Sequence, residues 1–217
     1  MAIKLLVLGG TGMLGLIVLE KAANAENVQV TAFVRTPSKI PQNVREKIKV
    51  VVGDIMSKDD VSNALTDQDV VISCIGKRKD LGTTRVYSQG IRNIVEGMRN
   101  QNVKYLQLMG ISFFLPNEFR PPRIFMPVIP DAENMIEYIK TVEDITWVAT
   151  MAPNISNQEY TGTCKVEIDK LPGPWNVTKH DLADWLVTSV MDQSKMDEYK
   201  HKLVGISSMS TRYCMIS

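Results

Sequence analysis

Along the first two-thirds of the chain, apolar residues come in short, nearly unbroken runs. These are Ile3 to Leu8, Val28 to Val34, Ile48 to Val52, Val70 to Ile75, Val103 to Met109 and Ile145 to Thr150. Runs of this length and β-branched content predict strands covered on both faces, as in a parallel sheet. Between them, helical patterns span Met13 to Ala25, Asp59 to Thr66, Thr83 to Asn100 and Asp131 to Thr141. The alternation predicts an α/β fold with a doubly wound parallel sheet, and binding at the carboxyl ends of its strands.

Two stretches break the rhythm. Pro116 to Pro130 holds five prolines together with Phe119, Phe125 and Met126. A loop of that length is either a lid over a binding site or a rigid surface crossover, and composition does not separate the two. The last third reads as a short, irregular substrate-side region. There Thr178-Lys179-His180-Asp181 opens a helix as a capping box, and Leu182, Trp185, Leu186 and Val190 form its buried stripe. A final strand is expected near Lys202 to Ile206. No linker or repeat divides the chain, so residues 1–217 are expected to form a single domain.

Composition narrows the partners. With 25 basic and 24 acidic residues the net charge is +1, which gives no general attraction to nucleic acid or anionic membranes. No apolar run is long enough to span a bilayer. The N-terminus runs directly into a strand without a signal-peptide pattern, and Cys74, Cys164 and Cys214 are odd in number and far apart. A cytoplasmic protein with reduced thiols is expected. Asn154-Ile155-Ser156 and Asn176-Val177-Thr178 are then chance matches to the glycosylation pattern.

The sharpest motif follows the first strand. Gly9-Gly10-Thr11-Gly12-Met13-Leu14-Gly15 contains G-x-G-x-x-G and stands between a strand and a helix, the context in which that spacing carries meaning. Early glycines permit the tight turn, Gly12 admits a pyrophosphate, and Gly15 lets the helix approach the strand. The phosphates then meet the free N–H groups and dipole of the helix N-terminus. This is the Rossmann dinucleotide turn; a ligand-free glycine turn is the weaker reading. At the end of the second strand, where NAD sites carry an acid, stands Arg35, with Lys39 behind it. A guanidinium suits a 2′-phosphate, so NADP(H) is the expected cofactor, although a solvated arginine has the same residue signature. Asp54 is placed either to accept from the adenine amino group or to cap a helix.

None of the six tyrosines has a lysine four residues on, so the Tyr-x-x-x-Lys chemistry of the main short-chain dehydrogenases is missing. Leu8-Gly9-Gly10-Thr11-Gly12 and Val51-Val52-Gly53-Asp54 resemble the atypical, NmrA-like NAD(P)-binding group. Further motifs are Gly76-Lys77-Arg78-Lys79-Asp80-Leu81, Ser88-Gln89-Gly90-Ile91-Arg92-Asn93-Ile94-Val95, Pro121-Pro122-Arg123, Thr161-Gly162 and Lys179-His180-Asp181-Leu182. Together these resemble the biliverdin reductase B, or NADPH flavin reductase, family. That resemblance implies a monomer reducing a small planar acceptor, a flavin or a tetrapyrrole, with NADPH.

The resemblance also carries cofactor contacts onto Gly10, Thr11, Gly12, Met13, Leu14, Arg35, Asp54, Ile55, Ile75, Gly76 and Arg78. Through Met151-Ala152-Pro153-Asn154 it adds Met151, Pro153 and Asn154. Ser112 matches the family's serine at the end of the fifth strand and is the candidate catalytic residue. The family's active-site histidine is Asn154 here, and an arginine before Lys179 is replaced by Trp175. Phe113, Phe114 and Trp175 can form an apolar wall, and Arg123 can meet a propionate or phosphate. Ordinary packing remains open for each aromatic. A non-catalytic NADP(H) sensor acting through a protein partner is the alternative function.

Overall fold

The computed structural model describes residues 2–76, 82–116 and 121–209. The apolar runs become β1 (Ile3–Leu8), β2 (Val28–Val34), β3 (Lys49–Val52), β4 (Val70–Ser73), β5 (Tyr105–Ile111) and β6 (Thr146–Ala152). Among them lie α1 (Met13–Ala23), α2 (Gln42–Arg45), α3 (Lys58–Leu65), α4 (Val86–Gln101) and α5 (Ile129–Lys140). After β6 come β7 (Asn154–Ser156), β8 (Cys164–Ile168), β9 (Asn176–Thr178), α6 (Lys179–Met191), α7 (Gln193–Glu198) and β10 (Lys202–Ser208).

The main sheet runs β3-β2-β1-β4-β5-β6-β10-β8, parallel throughout except that β8 is antiparallel to β10. A small parallel pair, β7-β9, stands apart. The strand order reverses between β1 and β4, and such a switch point opens a crevice beyond the strand ends. Leu6, Leu8, Leu106 and Leu108 face one core with α3, α4 and α5, while Leu5, Val7 and Val148 face the other with α1 and α6. Each fully buried leucine contributes about 2 kcal/mol through the apolar surface it removes from water. At the centre of the sheet, Gln107 and the Trp185 indole N–H both donate to the Thr150 hydroxyl, fixing α6 on β6.

Local chemistry explains the ends of the elements. Ser57 caps α3 by accepting from the Asp60 N–H at 3.2 Å. Asn102 closes α4 in the left-handed conformation, at φ 58°. Pro130 sits in the first turn of α5, where a missing N–H costs nothing, so this helix starts inside the proline-rich segment.

The tail differs most from expectation. β7, β8 and β9 are three to five residues long and carry no run that periodicity can detect. β10 does not simply end the sheet; it is inserted between β6 and β8. The capping box is half formed. The Thr178 hydroxyl accepts from the Asp181 N–H at 3.0 Å, and the Asp181 carboxylate accepts back from that hydroxyl at 2.8 Å and from the Thr161 and Gly162 N–H groups, but not from the Thr178 N–H. The Thr178 N–H donates to Ser208. No helix among the described residues is long and apolar enough to cross a membrane.

Candidate functional site

β1 delivers the chain to the glycine turn at the switch point. Gly9 adopts φ +77°, and a Cβ there would lie 2.7 Å from the Cys74 carbonyl oxygen at the end of β4. A Cβ on Gly15 would overlap the Gly9 carbonyl oxygen, so the helix can lie this close only without a side chain. Gly12 is different. It is exposed, caps α1 in an extended conformation with no side-chain hydrogen bond, and its Cβ would meet only Gly9 O at 3.3 Å. No acidic residue occupies the first turn of α1. The helix N-terminus is therefore left bare for an anion. Thr11 and Met13 are half-buried beside the turn, while Gly10 and Leu14 pack inward.

The adenosine end lies one and two strands away. Val34 pairs with Val52, so Arg35 leaves β2 beside Gly53, whose N–H donates to Val34 O at 3.2 Å. Arg35 is exposed. Asp54 does not cap α3: its N–H donates to Asp60, and its carboxylate accepts from the Met56 N–H at 3.0 Å. The half-buried carboxylate closes its own turn beside the Arg35 strand end. The Ile55 side chain is buried, and its carbonyl accepts from Asn93 at 2.8 Å.

At the other side of the switch point, Ile75 packs on the core and Gly76 is exposed, with the Tyr87 hydroxyl 3.6 Å from where its Cβ would stand. Arg78, with the rest of Lys77 to Leu81, lies outside the described residues. Burial pushes the Cys74 thiol up to about 12, so this neighbour of the turn is an inert wall.

Ser112 opens a single 3₁₀ turn, Ser112–Phe114, at the carboxyl end of β5. It is 1% exposed, and its hydroxyl has no hydrogen-bond partner. An unpaired buried hydroxyl costs on the order of 1–3 kcal/mol, so the position is held against stability. Ile111 pairs with Ala152, which brings the Ser112 end of β5 alongside Pro153. Met151 is fully buried and packs against Gly110.

Next to Ser112 the Phe113 ring bridges two others, 6.0 Å from Phe125 and 5.9 Å from Trp175. Phe114 packs against the core instead. Trp175 arrives on the crossing from β8 to β9. The Lys170 carbonyl occupies the place of a Cβ on Gly205, and Gly173 lies over Ser207. Asn154 is exposed and donates to Asn176 at 3.2 Å, and Asn176 donates to Gln158 at 3.0 Å. This amide ladder holds β7 against β9 just beyond Trp175, where the resemblance has a histidine. Arg123 and Phe125 share a second 3₁₀ turn, and Arg123 is exposed.

Sequence reasoning missed two contributors. Phe125 belongs to the shelf, but a phenylalanine in a proline-rich loop gives no direction. Buried Asp131 on α5 caps α4 by accepting from the Tyr87 and Ser88 N–H groups at 2.9 and 3.2 Å. Its position beside Pro130 was the available signal. A concavity of about 580 Å³ lies between α1 and α6, and no residue of the glycine turn lines it among the described residues.

Strand order, switch point and bare glycine turn together define a Rossmann-type dinucleotide-binding domain. The chain belongs to the NAD(P)H-binding family, whose pattern matches residues 9–193. Similar folds occur in a short-chain dehydrogenase/reductase from Veillonella parvula in complex with NADP. It shares 12% identity, covering 98% of each chain, with a TM-score of 0.80. The oxidoreductase ylbE from Lactococcus lactis is 20% identical, covering 96% of this chain and 92% of that one, with a TM-score of 0.79. A Rossmann-fold NAD(P)-binding family protein from Shigella flexneri is 15% identical, covering 96% and 94%, with a TM-score of 0.76. At these identities the likeness is one of fold.

Proposed function

We propose that this protein is an NADPH-dependent reductase of a planar acceptor, a flavin or a biliverdin-like tetrapyrrole. The observation that carries the reading is the unpartnered, buried Ser112 hydroxyl beside an aromatic shelf at the sheet edge. The bound cofactor supplies the hydride. The chain's own part is to seat the pyrophosphate on α1, to meet the 2′-phosphate with Arg35, and to orient the nicotinamide end with Ser112. Phe113 and Trp175, tilted 34° to each other, give the acceptor an apolar aromatic wall and exclude water. The NADP bound by the Veillonella relative supports the cofactor choice. Asn154 offers no titratable group, so the proton that completes reduction comes from solvent, which suits an acceptor whose reduced form is stable as an anion.

The same asparagine favours the second reading, a non-catalytic NADP(H) sensor, because the amide ladder replaces an acid–base residue with a structural one. NADPH oxidation assayed with FMN and with biliverdin separates the two. Turnover of either acceptor supports the reductase; tight NADPH binding with no oxidation leaves the sensor.

A further inference from the structure

On the buried face of α4, Tyr87, Ile91, Ile94, Val95 and Met98 pack inward, and Asn93 lies among them at 1% exposure. Packing alone would favour leucine there, because a buried amide without partners costs free energy. Both ends of this amide are used. Its Nδ2 donates to the Ile55 carbonyl at 2.8 Å, and its Oδ1 accepts from Gln89, one turn earlier, at 2.9 Å. Gly90 shares that face, and a Cβ there would stand 3.1 Å from the Ile55 side chain. The helix therefore meets the turn after β3 at two points.

The hydrogen bonds of that turn leave two groups over. The Gly53 N–H donates to Val34, the Asp54 N–H to Asp60, the Met56 N–H to Asp54 Oδ1, and the Ser57 N–H to the Asp54 carbonyl at 2.9 Å. Among the described residues, nothing accepts from the Ile55 N–H and nothing donates to Asp54 Oδ2. A free donor and a free carboxylate oxygen on adjacent residues complement the edge of adenine, where a ring-nitrogen acceptor adjoins an amino donor. Val52 and Met56, 62% and 42% exposed, flank the pair with apolar surface.

We propose that Asn93 is a positioning residue for the adenine end of NADP(H). It fixes the Ile55 carbonyl, and with it the turn that presents the Ile55 N–H and the Asp54 carboxylate to the base. The Ser57 bond sets the peptide plane before Ile55 and the Asn93 bond sets the plane after it, so both dihedral angles of Ile55 are held. Gln89 orients the amide so that its NH2 faces Ile55. Asn93 acts through the turn and not on the nucleotide. The inference rests on the cofactor seated at the glycine turn, and it holds for the reductase and the sensor alike.

The test is isothermal titration with NADPH and with its hypoxanthine analogue, in which an oxo group replaces the amino group and the adjoining ring nitrogen carries hydrogen. Both contacts of the base then become mismatches, so the unaltered protein should bind NADPH about tenfold or more tighter. Asn93→Leu puts an apolar side chain of similar shape into an apolar face. It should lower that preference at least about threefold, because a released Ile55 peptide no longer holds one geometry towards the base. Gln89→Ala, which only frees the amide to turn, should lower it about twofold. Circular dichroism checks that each variant is folded. A general loss of stability would weaken both ligands alike, so an unchanged ratio in folded Asn93→Leu overturns the role of Asn93. Should that variant not fold, the ratio in Gln89→Ala decides in the same way. Equal affinities for the two cofactors in the unaltered protein would overturn the inference at its first step, by removing adenine from the Asp54 turn, and would leave the acceptor reading untouched.

Discussion

The glycine turn and the aromatic shelf stand at the same edge of one sheet but are built from different materials. The turn is backbone: glycines, free N–H groups and a helix dipole, drawn from consecutive residues Gly9 to Gly15. The shelf is side chain, assembled from the end of β5, the turn before α5 and the crossing before β9. A backbone site tolerates almost no change at its glycines and is indifferent to much else. A side-chain site can be retuned one residue at a time, which is how one fold serves many acceptors.

The largest expected effects lie in the turn, where two glycines should fail in opposite ways. Gly12→Val should leave a folded protein, because its Cβ meets only one oxygen at 3.3 Å, yet weaken NADPH binding by roughly 100-fold or more as the γ-methyls fill the anion's path. Gly15→Ala should instead lower stability by about 1–3 kcal/mol, since its Cβ overlaps the Gly9 carbonyl. Thermal melts and isothermal titration read the two quantities separately. A folded Gly12→Val with native affinity would place the phosphates elsewhere.

Legibility follows the same divide. Strands β1 to β6 and the turn could be read from the sequence because buried runs and glycine spacing are local signals. β7, β8 and β9 could not, since strands of three to five residues owe their pairing to distant partners. Asp54 shows the limit at a single residue. Its type and position fit an adenine contact or a cap, and only the fold reveals that Ser57 takes the cap while Asp54 turns to Met56. Phe113 and Trp175 are 62 positions apart in the chain; the expected wall of Phe113, Phe114 and Trp175 forms only in part, because Phe114 turns to the core, and no local signal separates the two phenylalanines. Gly205 is silent for the same reason, because the Lys170 carbonyl it makes room for arrives from another strand's connection.

One strand away from the turn, side-chain chemistry resumes. Arg35→Glu should weaken NADPH relative to NADH by about 10- to 100-fold, the range of a lost charge-assisted contact plus repulsion. Equal dissociation constants for the two cofactors in the unaltered protein would contradict a role for Arg35. On the shelf the changes should be smaller. Trp175→Arg should improve binding of acidic acceptors such as FMN or biliverdin over riboflavin by a few-fold, roughly one exposed charge contact. An unchanged ratio would mean that the acceptor does not reach Trp175.

The smallest expected effect is none. Burial holds the Cys74 thiol at about 12, and burial with nearby Asp181 and Asp184 holds Cys164 at about 11. At pH 8 both are protonated, so iodoacetamide should spare them in the folded protein and leave NADPH affinity unchanged. Peptide mapping by mass spectrometry reads this directly, and rapid labelling of Cys74 would show that the wall beside the turn opens.

The central claim is that Ser112 serves hydride transfer at this edge, and stopped-flow spectroscopy of NADPH oxidation at 340 nm, the ordinary window of the reduced nicotinamide, tests it. The wild-type protein mixed with FMN or biliverdin should oxidise bound NADPH. Ser112→Ala should do so about 10- to 100-fold more slowly, with NADPH affinity nearly unchanged. Tight NADPH binding by the wild type with no oxidation by any flavin or tetrapyrrole would contradict the claim and leave the sensor.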